Sequence, residues 1–298
     1  MKIKFKIIAL VVIATSILVI GCESSDGNDS NNENTGRIEI TDNTVENDPV
    51  DSADYWNDGV LVWSEEFAQP KLSDQNWSFA TNVAGSDNSE WQNYRNENVE
   101  VVNGTLQIVA KKVGAGQKKG DYTSSRITSK YAFTYGRIEV RAKVPQEEKN
   151  GIWSKIAMVG DNENIVGWPN SGEINLMEYL SHNSGETYIT VHSGANNDAN
   201  GTLISAATEL PTIEEEFHIY GLLWTDRYLK FYIDEIDNIT YSFRRPSEYS
   251  DENWPFSKPF YLLAGMAVGG KYGGLMGVDD SMFPATMEIE YIRVYHAK

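Results

Sequence analysis

Apolar and polar residues alternate with a period of two through much of the chain beyond residue 60, as they do in β-strands. The clearest run is "GRIEVRAKV", whose apolar positions share one face: Ile138, Val140, Ala142 and Val144. Farther along, "HIYGLLWTDRYLKFYIDE" predicts a strand, a turn and a strand, and "MEIEYIRVYHA" predicts a final strand. No long segment has a helical period. The pattern therefore predicts an all-β chain.

Turn signals separate these runs. In "VEVVNGTLQIVA", two β-rich runs flank Asn103 and Gly104, a dipeptide that suits the type I′ turn of a hairpin. Many short strands with turn signals between them favour a sandwich of two antiparallel sheets. We assign this sandwich to residues 55–298, a length within the range of one all-β domain.

The first 21 residues break the alternating pattern. "MKIKFK" is basic, and the run of about 15 mostly apolar residues after it is too short to span a bilayer comfortably. Residues 1–21 are therefore predicted to be a secretory signal peptide. The segment "VIGC" resembles the lipobox of bacterial lipoproteins, which implies cleavage before Cys22 and acylation of that residue. The alternative is an uncleaved N-terminal anchor, and either case predicts an exported, tethered protein. The lipoprotein is expected at the outer membrane or cell surface.

The segment after Cys22 is acidic and poor in large apolar residues. Residues 23–54 contain ten Asp or Glu and one Arg, so we expect residues 22–54 to be an acylated, disordered linker. The whole chain has a formal net charge of -18, which disfavours nucleic acid as a partner. Cys22 is the single cysteine, which excludes an intrachain disulfide and a cysteine nucleophile in the domain.

Two glutamates on one strand-like segment are the main candidates for chemistry. "SGEINLMEYL" places Glu173 and Glu178 five residues apart, with Asn175 between them. In a regular strand Glu178 would face away from the other two, but one extra residue, a β-bulge between Asn175 and Glu178, would turn all three to one face. Two carboxyl groups about 5 Å apart are the arrangement of a retaining glycosidase. Spacing alone leaves the alternative of a structural or solvated pair open.

Several segments resemble the laminarinase-like subgroup of glycoside hydrolase family 16. "EINLME" is similar to its Glu-x-Asp-x-x-Glu signature, and further matching segments follow in the family's order: "LVWSEEF", "SEWQNY", "VNGTLQI", "YTSSRITSK", "YGRIEVRAKVP", "GIW", "TVHSG", "FHIYGLLWTDRYLKFYIDE", "PFYLLAGMAVGG" and "IEYIRVY". The resemblance implies a β-jelly-roll sandwich with a concave substrate cleft. It also implies a retaining endo-β-glycosidase that needs no cofactor for catalysis, with Glu173 as nucleophile and Glu178 as general acid/base.

Other residues receive roles from the same resemblance. His192 in "TVHSG" is expected near the catalytic pair, and Trp91, Trp153, Trp168 and Arg126 are candidates for binding substrate in the cleft. An aromatic ring can stack on the apolar face of a sugar. For each of them the alternative is a purely structural role.

The middle position of the signature departs from the family, since Asn175 replaces Asp. In relatives this aspartate hydrogen-bonds the nucleophile. Asn175 keeps a donor for Glu173 but removes a nearby negative charge, so we expect Glu173 to ionise more easily. We expect activity to survive with a lower rate or a shifted pH profile. The alternative is a catalytically weakened, surface glycan-binding lipoprotein on the same fold.

Departures in the cleft leave the substrate open. Relatives commonly read "GIWPAFWML" where this chain reads "GIWSKIAMV", so Ala157 replaces a Trp, and Gly265 replaces an Asn. Two substrate classes follow. One is a β-1,3-glucan of the laminarin type, and the other is a β-galactosidic chain such as the mucin-type O-glycans cut by endo-β-galactosidases. We expect a monomer whose partners are this glycan and, through the lipid, a membrane.

The family also implies a structural Ca²⁺ ion. The matching positions are Glu66, the Gly104 carbonyl and Glu290, and oxygen ligands of this kind suit Ca²⁺. Relatives usually have Asp at the last of these positions. The alternative for each glutamate is a surface salt bridge.

Overall fold

The computed structural model describes residues 56–81, 84, 88–146 and 149–296. The predicted signal peptide, Cys22 and the linker to residue 54 lie outside these ranges. In the described ranges, no helix has both the length and the apolar character needed to cross a bilayer.

Strands make up most of the regular structure. In chain order they are β1 (Val60–Glu65), β2 (Trp77–Phe79), β3 (Gln92–Tyr94), β4 (Val99–Val102), β5 (Thr105–Lys112), β6 (Tyr122–Ser124), β7 (Arg126–Phe133), β8 (Gly136–Lys143), β9 (Ile152–Gly160), β10 (Glu173–Leu180), β11 (Glu186–His192), β12 (Ile204–Glu209), β13 (His218–Trp224), β14 (Tyr228–Ile233), β15 (Ile239–Arg244), β16 (Phe260–Val268) and β17 (Ala285–His296). The helical pieces are short: α1 (Glu163–Val166), α2 (Gly270–Gly273) and the 3₁₀ turns Asn96–Asn98, Asp198–Asn200 and Asp280–Met282.

The strands form two sheets. The first has the order β15-β14-β13-β8-β17-β5-β6-β3, with β1 added beside β17 and β4 beside β5. The second has the order β12-β11-β10-β9-β16-β7-β2. Neighbouring strands pair antiparallel except β3 and β6, which are parallel. The predicted all-β sandwich of two antiparallel sheets is confirmed.

The core lies between the sheets. Ile138, Val140 and Ala142 of β8 are fully buried, as their alternation predicts, and they belong to one cluster that takes residues from both sheets. Burying a large aliphatic side chain stabilises a fold by about 1.5–3 kcal/mol, so this continuous cluster holds the sheets together. The opposite faces of the sheets remain for polar side chains.

Backbone conformation confirms the predicted hairpin. Asn103 and Gly104 join β4 to β5 with φ angles of 53° and 79°. Two consecutive positive φ angles define a type I′ turn, whose twist matches that of the strands it connects. Val102 accordingly pairs with Thr105.

The predicted bulge is present in β10. Against β9, Asn175 pairs with Ala157 and Met177 pairs with Ile156, so Leu176 has no partner of its own. Against β11, the register also shifts between Asn175 and Glu178. The extra residue restores the phase of Glu178 to that of Glu173.

Candidate active site

A cleft of about 840 Å³ lies on the outer face of the seven-stranded sheet, away from the core. Residues of β7, β9, β10, β11 and β16 line it, because alternate side chains of each strand point away from the core. Most of the predicted site residues are among them: Glu173, Glu178, His192, Trp153, Trp168 and Arg126. The bulge therefore brings both glutamates into one cleft.

Glu173 is held by two donors. Lys155 Nζ lies 2.9 Å from its Oε1, and Trp168 Nε1 donates to its Oε2 at 2.8 Å. Burial acts to raise the pKa of Glu173, but the charges of Lys155 and His192 and the two hydrogen bonds outweigh it and lower that pKa to about 2. Glu173 is thus a buried, oriented carboxylate, the form that a nucleophile requires.

Glu178 is held by two neutral donors. Trp153 Nε1 donates to its Oε1 at 3.2 Å, and the Thr190 hydroxyl donates to its Oε2 at 2.6 Å. Only 8% of the residue is exposed. These contacts fix the carboxyl group without supplying a charge.

Asn175 does not form the hydrogen bond predicted for it. Its Nδ2 donates to Thr190 Oγ1 rather than to Glu173, since Thr190 lies directly opposite it on β11. The lysine and tryptophan contacts already use both oxygens of Glu173. The ease with which Glu173 ionises therefore has its visible cause in Lys155 and Trp168, and Asn175 acts through Thr190 on Glu178.

His192 lies beside the pair, as expected. It is opposite Glu173 in the β10–β11 register, its ring lies 5.4 Å from that of Trp168, and its Nε2 lies 3.4 Å from Thr190 Oγ1. Burial lowers the pKa of His192 despite the two glutamates nearby. The imidazole is therefore neutral near pH 7, where Lys155 supplies the positive charge beside Glu173; His192 adds its charge only at lower pH.

Comparison with known proteins identifies the family. The profile described as glycosyl hydrolases family 16 matches residues 86–293. The chain is 36% identical over 260 residues to the beta-glucanase of Rhodothermus marinus, a match that covers 83% of this chain and 88% of that protein. This chain belongs to glycosyl hydrolase family 16.

Two further relatives bear on the fold and the substrate. The crystal structure of a laminarinase from Flavobacterium sp. UMI-01 superposes with a TM-score of 0.72 at 38% identity, covering 80% of this chain and all of that one. A keratan-sulfate endo-1,4-beta-galactosidase of Sphingobacterium multivorum is 28% identical, with 99% of this chain and 68% of that protein covered. The sandwich is the jelly roll of family 16, and the chain is a retaining, endo-acting glycoside hydrolase.

The aromatic residues predicted for the family 16 cleft are split by the structure. Trp153 and Trp168 line the cleft, and the Trp153 ring lies 4.7 Å from that of Tyr272. Trp91 is not among the lining residues. It packs against the core, 5.9 Å from the Tyr122 ring, and it lies where a side chain on Gly269 would collide with it. Packing against the core thus accounts for its position, and a part in substrate binding stays a prediction.

Arg126 lines the cleft at the position expected of it. Its guanidinium lies 5.1 Å from the centre of the Tyr94 ring. A side chain at Gly265 would come within 3.1 Å of Arg126 Cβ and Cγ, so glycine at this family 16 position gives the arginine its space. The exchange of Asn for Gly265 and the placement of Arg126 are thus linked.

Sequence reasoning missed Lys155 and Thr190. Thr190 lies two residues before His192 and therefore on the same strand face. A signal for Lys155 was available: it is a lone charge in the apolar run "GIWSKIAMV", two residues from Trp153 and hence on the same face.

The predicted calcium ligands are engaged with arginines. Arg293 binds Glu66 through two hydrogen bonds of 2.9 Å, which lowers the pKa of that carboxyl, and Arg141 forms a salt bridge with Glu290. Gly104 belongs to the hairpin turn. Across the described ranges, no group of three or more His, Cys, Asp or Glu side chains is placed to hold a metal ion. These residues do not fit a Ca²⁺ site in this arrangement.

Proposed function

We propose that this family 16 hydrolase cleaves internal linkages of a β-1,3-glucan by double displacement, with Glu173 as nucleophile and Glu178 as general acid/base. The observation that carries the assignment of roles is the bulge at Leu176, which turns both carboxyl groups into one cleft. The different partners of the two groups support these roles: Glu173 has a cation and is ionised, whereas Glu178 has neutral donors.

The reaction then has two balanced steps. Glu173 attacks the anomeric carbon while Glu178 gives its proton to the leaving oxygen, so that a glycosyl-enzyme ester forms. Water then attacks the same carbon and gives a proton to Glu178, which frees Glu173 as a carboxylate. Trp153 and Thr190 hold Glu178 in place through both steps. Two carboxyl groups suffice for this chemistry, and no cofactor takes part.

Cleft charge and sequence relationship support a neutral glucan as substrate. Five acidic and two basic side chains line the cleft: Glu90, Glu163, Glu173, Glu178, Asp198, Arg126 and Lys155. A surplus of negative charge disfavours sulfated chains. The higher identities to the beta-glucanase and the laminarinase point the same way. The endo-beta-galactosidase relative and the small residues Ala157 and Gly265 favour a β-galactosidic chain as the second candidate.

Product analysis distinguishes these substrates. Wild type and Glu178→Gln would be incubated with laminarin, mixed-linkage glucan, poly-N-acetyllactosamine and mucin O-glycans. We expect wild type to release oligosaccharides from laminarin and Glu178→Gln to release almost none. Release from the galactosidic chains alone would replace the glucan by the second candidate. Glycan binding with no release by wild type would instead favour the weakened, glycan-binding protein.

We further propose that the chain is an exported lipoprotein whose lipid is attached to Cys22 after residues 1–21 are removed. The basic start, the apolar run and "VIGC" support this proposal. Metabolic labelling with a palmitate analogue in a bacterial host should mark wild type and not Cys22→Ser, and surface proteolysis of intact cells should report on which side it is held. Label on both proteins would contradict lipidation at Cys22.

Calcium and oligomeric state stay predictions. Binding of Ca²⁺ at Glu66, Gly104 and Glu290 would require both carboxylates to leave their arginines. A rise in Tm with CaCl₂ that is lost in Glu290→Gln would support the site, and an unchanged Tm would count against it. Light scattering after size-exclusion chromatography should give the mass of a monomer.

A further inference from the structure

Lys155 spans the distance between the two glutamates. On β9 it lies directly opposite Glu178, yet its ammonium group contacts Glu173, which lies opposite Val159. The lysine side chain therefore runs along its own strand, over position 157, which shares its face. Ala157 is fully buried and has only a methyl group. A large side chain there would occupy the space of the lysine stem.

The surroundings of Lys155 keep it charged. Its side chain is 21% exposed, and its Nζ lies 4.5 Å from the centre of the Trp153 ring. Burial acts to lower the pKa of Lys155, but the charges of Glu173, Glu178 and Glu90 outweigh it and raise that pKa. The ammonium group thus interacts electrostatically with both Glu173 and Glu178.

We propose that Lys155 is a positioning residue of the catalytic pair, which orients the Glu173 carboxylate and balances whichever of the two glutamates is ionised at each step. The inference rests on the proposed roles of Glu173 and Glu178. In this proposal Lys155 supplies the positive charge beside the two glutamates, which neither Asn175 nor neutral His192 can supply.

Through both steps of the reaction only one of the two glutamates is negatively charged at a time, so one cation suffices for the pair. The proposed mechanism starts with Glu173 as the carboxylate and Glu178 as the acid. When the bond from Glu173 to the anomeric carbon forms and the bond to the leaving oxygen breaks, the proton passes to that oxygen. Glu173 is then a neutral ester and Glu178 the carboxylate. The attack of water reverses both changes, so each state has one negative charge within reach of Lys155.

The other charged and titratable groups of the cleft have their own arrangements. Asp198 forms a salt bridge with Lys271, Tyr261 donates to Glu163 at 2.8 Å, and Gln92 donates to Glu90 at 2.8 Å. The remaining titratable groups that line the cleft are Arg126, His192, Tyr94 and Tyr272. Removal of the charge of Lys155 should therefore change the pKa of Glu173 more than that of any other cleft residue.

The decisive variants are Lys155→Met, which removes the charge, and Lys155→Arg, which keeps it. For kcat/KM on laminarin, the acid limb of Lys155→Met should move to higher pH by about 1–3 units, because a carboxylate loses an adjacent cation. We expect kcat to fall more than KM changes, and Lys155→Arg to restore most of both. Lys258→Met, which removes a lysine paired with exposed Asp251, is the matched control and should follow wild type.

A second readout does not need turnover. The side-chain carboxyl of Glu173, assigned by its absence in Glu173→Gln, can be titrated by ¹³C NMR in wild type and Lys155→Met. Its midpoint should rise in the variant. Equal midpoints, or superimposable pH profiles, would overturn the proposal. If wild type hydrolyses no glycan, the proposed function fails while the titration still decides the role of the lysine. If Lys155→Met does not fold, Lys155→Gln is titrated instead.

Discussion

The two sheets differ in how many cations lie beside their glutamates. On and beside the ten-stranded sheet, three glutamates each have their own cation: Glu139 pairs with Arg137, Glu288 with Lys143 and Glu66 with Arg293. On the seven-stranded sheet, Glu173 and Glu178 are both buried and have one lysine between them. Matched pairs serve packing and cost little to keep, whereas a surplus carboxyl group in a cleft is a sign of chemistry. The difference separates a structural face from a reactive one.

The largest difference in activity between the two sheets is expected when a glutamate is replaced on each. Glu173→Gln removes the attacking oxygen, so kcat should fall by at least about 10⁴-fold. Glu288→Gln makes the same change in a glutamate paired on the other sheet and should leave activity within about twofold of wild type. Initial rates on laminarin check both. Similar losses in the two variants would show that the contrast between the faces is false.

Removal of a cation should affect stability unequally on the two faces. Lys155→Met leaves buried Glu173 without its cation and should lower the free energy of unfolding at pH 7 by about 3–5 kcal/mol. Lys143→Met on the ten-stranded sheet should cost at most about 1 kcal/mol. Denaturant unfolding of both variants beside wild type measures the difference.

The pH dependence of that difference follows from the sign of the shift. The pKa of Glu173 in the folded protein, about 2, lies below its ordinary value of 4.5. Its stabilising contribution is therefore full above pH 4.5 and is lost as pH falls towards 2. The gap between wild type and Lys155→Met should narrow over the same interval. A gap that stays constant would mean that the lysine stabilises by packing alone.

Loss of the threonine hydroxyl should have a smaller effect. Thr190→Val removes the 2.6 Å hydrogen bond to Glu178 and leaves the Asn175 amide without its acceptor. Glu178 becomes a carboxylate as it gives up its proton, and hydrogen bonds to charged groups contribute about 1.5–3 kcal/mol, so kcat should fall about 10- to 100-fold. Thr190→Ser keeps the hydroxyl and should retain most activity. Equal rates for Val and Ser would remove Thr190 from the account.

Several features of the fold and the site could be predicted from the sequence because they depend on local patterns of residues. The alternation of β8 and the bulge before Glu178 follow from a two-residue repeat, the Asn103–Gly104 turn follows from the preference of that dipeptide for positive φ angles, and each is confirmed. Contacts between strands were less accessible. Asn175 was expected to bond Glu173 because the aspartate of relatives bonds the nucleophile, but its amide donates to Thr190 on the neighbouring strand. Trp91 was placed in the cleft by motif, whereas packing holds it against Tyr122.

Lys155 shows why the rest could not be predicted. Its position along β9 places it opposite Glu178, but its long side chain carries the charge to Glu173. Register fixes where a Cα lies, and a flexible side chain then selects a partner several ångströms away. Only the small size of Ala157, two residues on, hinted that the stem had room to run in that direction.

The smallest effect is expected at Trp168. Trp168→Phe removes the 2.8 Å hydrogen bond to Glu173 but leaves Lys155 in place, and the residue is 47% exposed. Because Lys155 still pairs with the carboxylate and solvent reaches the indole, the loss should cost less than the roughly 1.5–3 kcal/mol typical of hydrogen bonds to charged groups, and kcat should fall about 2- to 10-fold. Initial rates and KM on laminarin check this. A loss as large as that of Glu173→Gln would show that the indole, rather than the lysine, holds the nucleophile.

The claim that Glu173 is the nucleophile of a retaining hydrolase can be tested by trapping the glycosyl-enzyme. A 2-deoxy-2-fluoro-β-laminaribioside with a good leaving group should react with wild type, and peptide mass spectrometry should find the added disaccharide on Glu173. An adduct on Glu178, or turnover of laminarin with inversion at the anomeric carbon, would contradict the account.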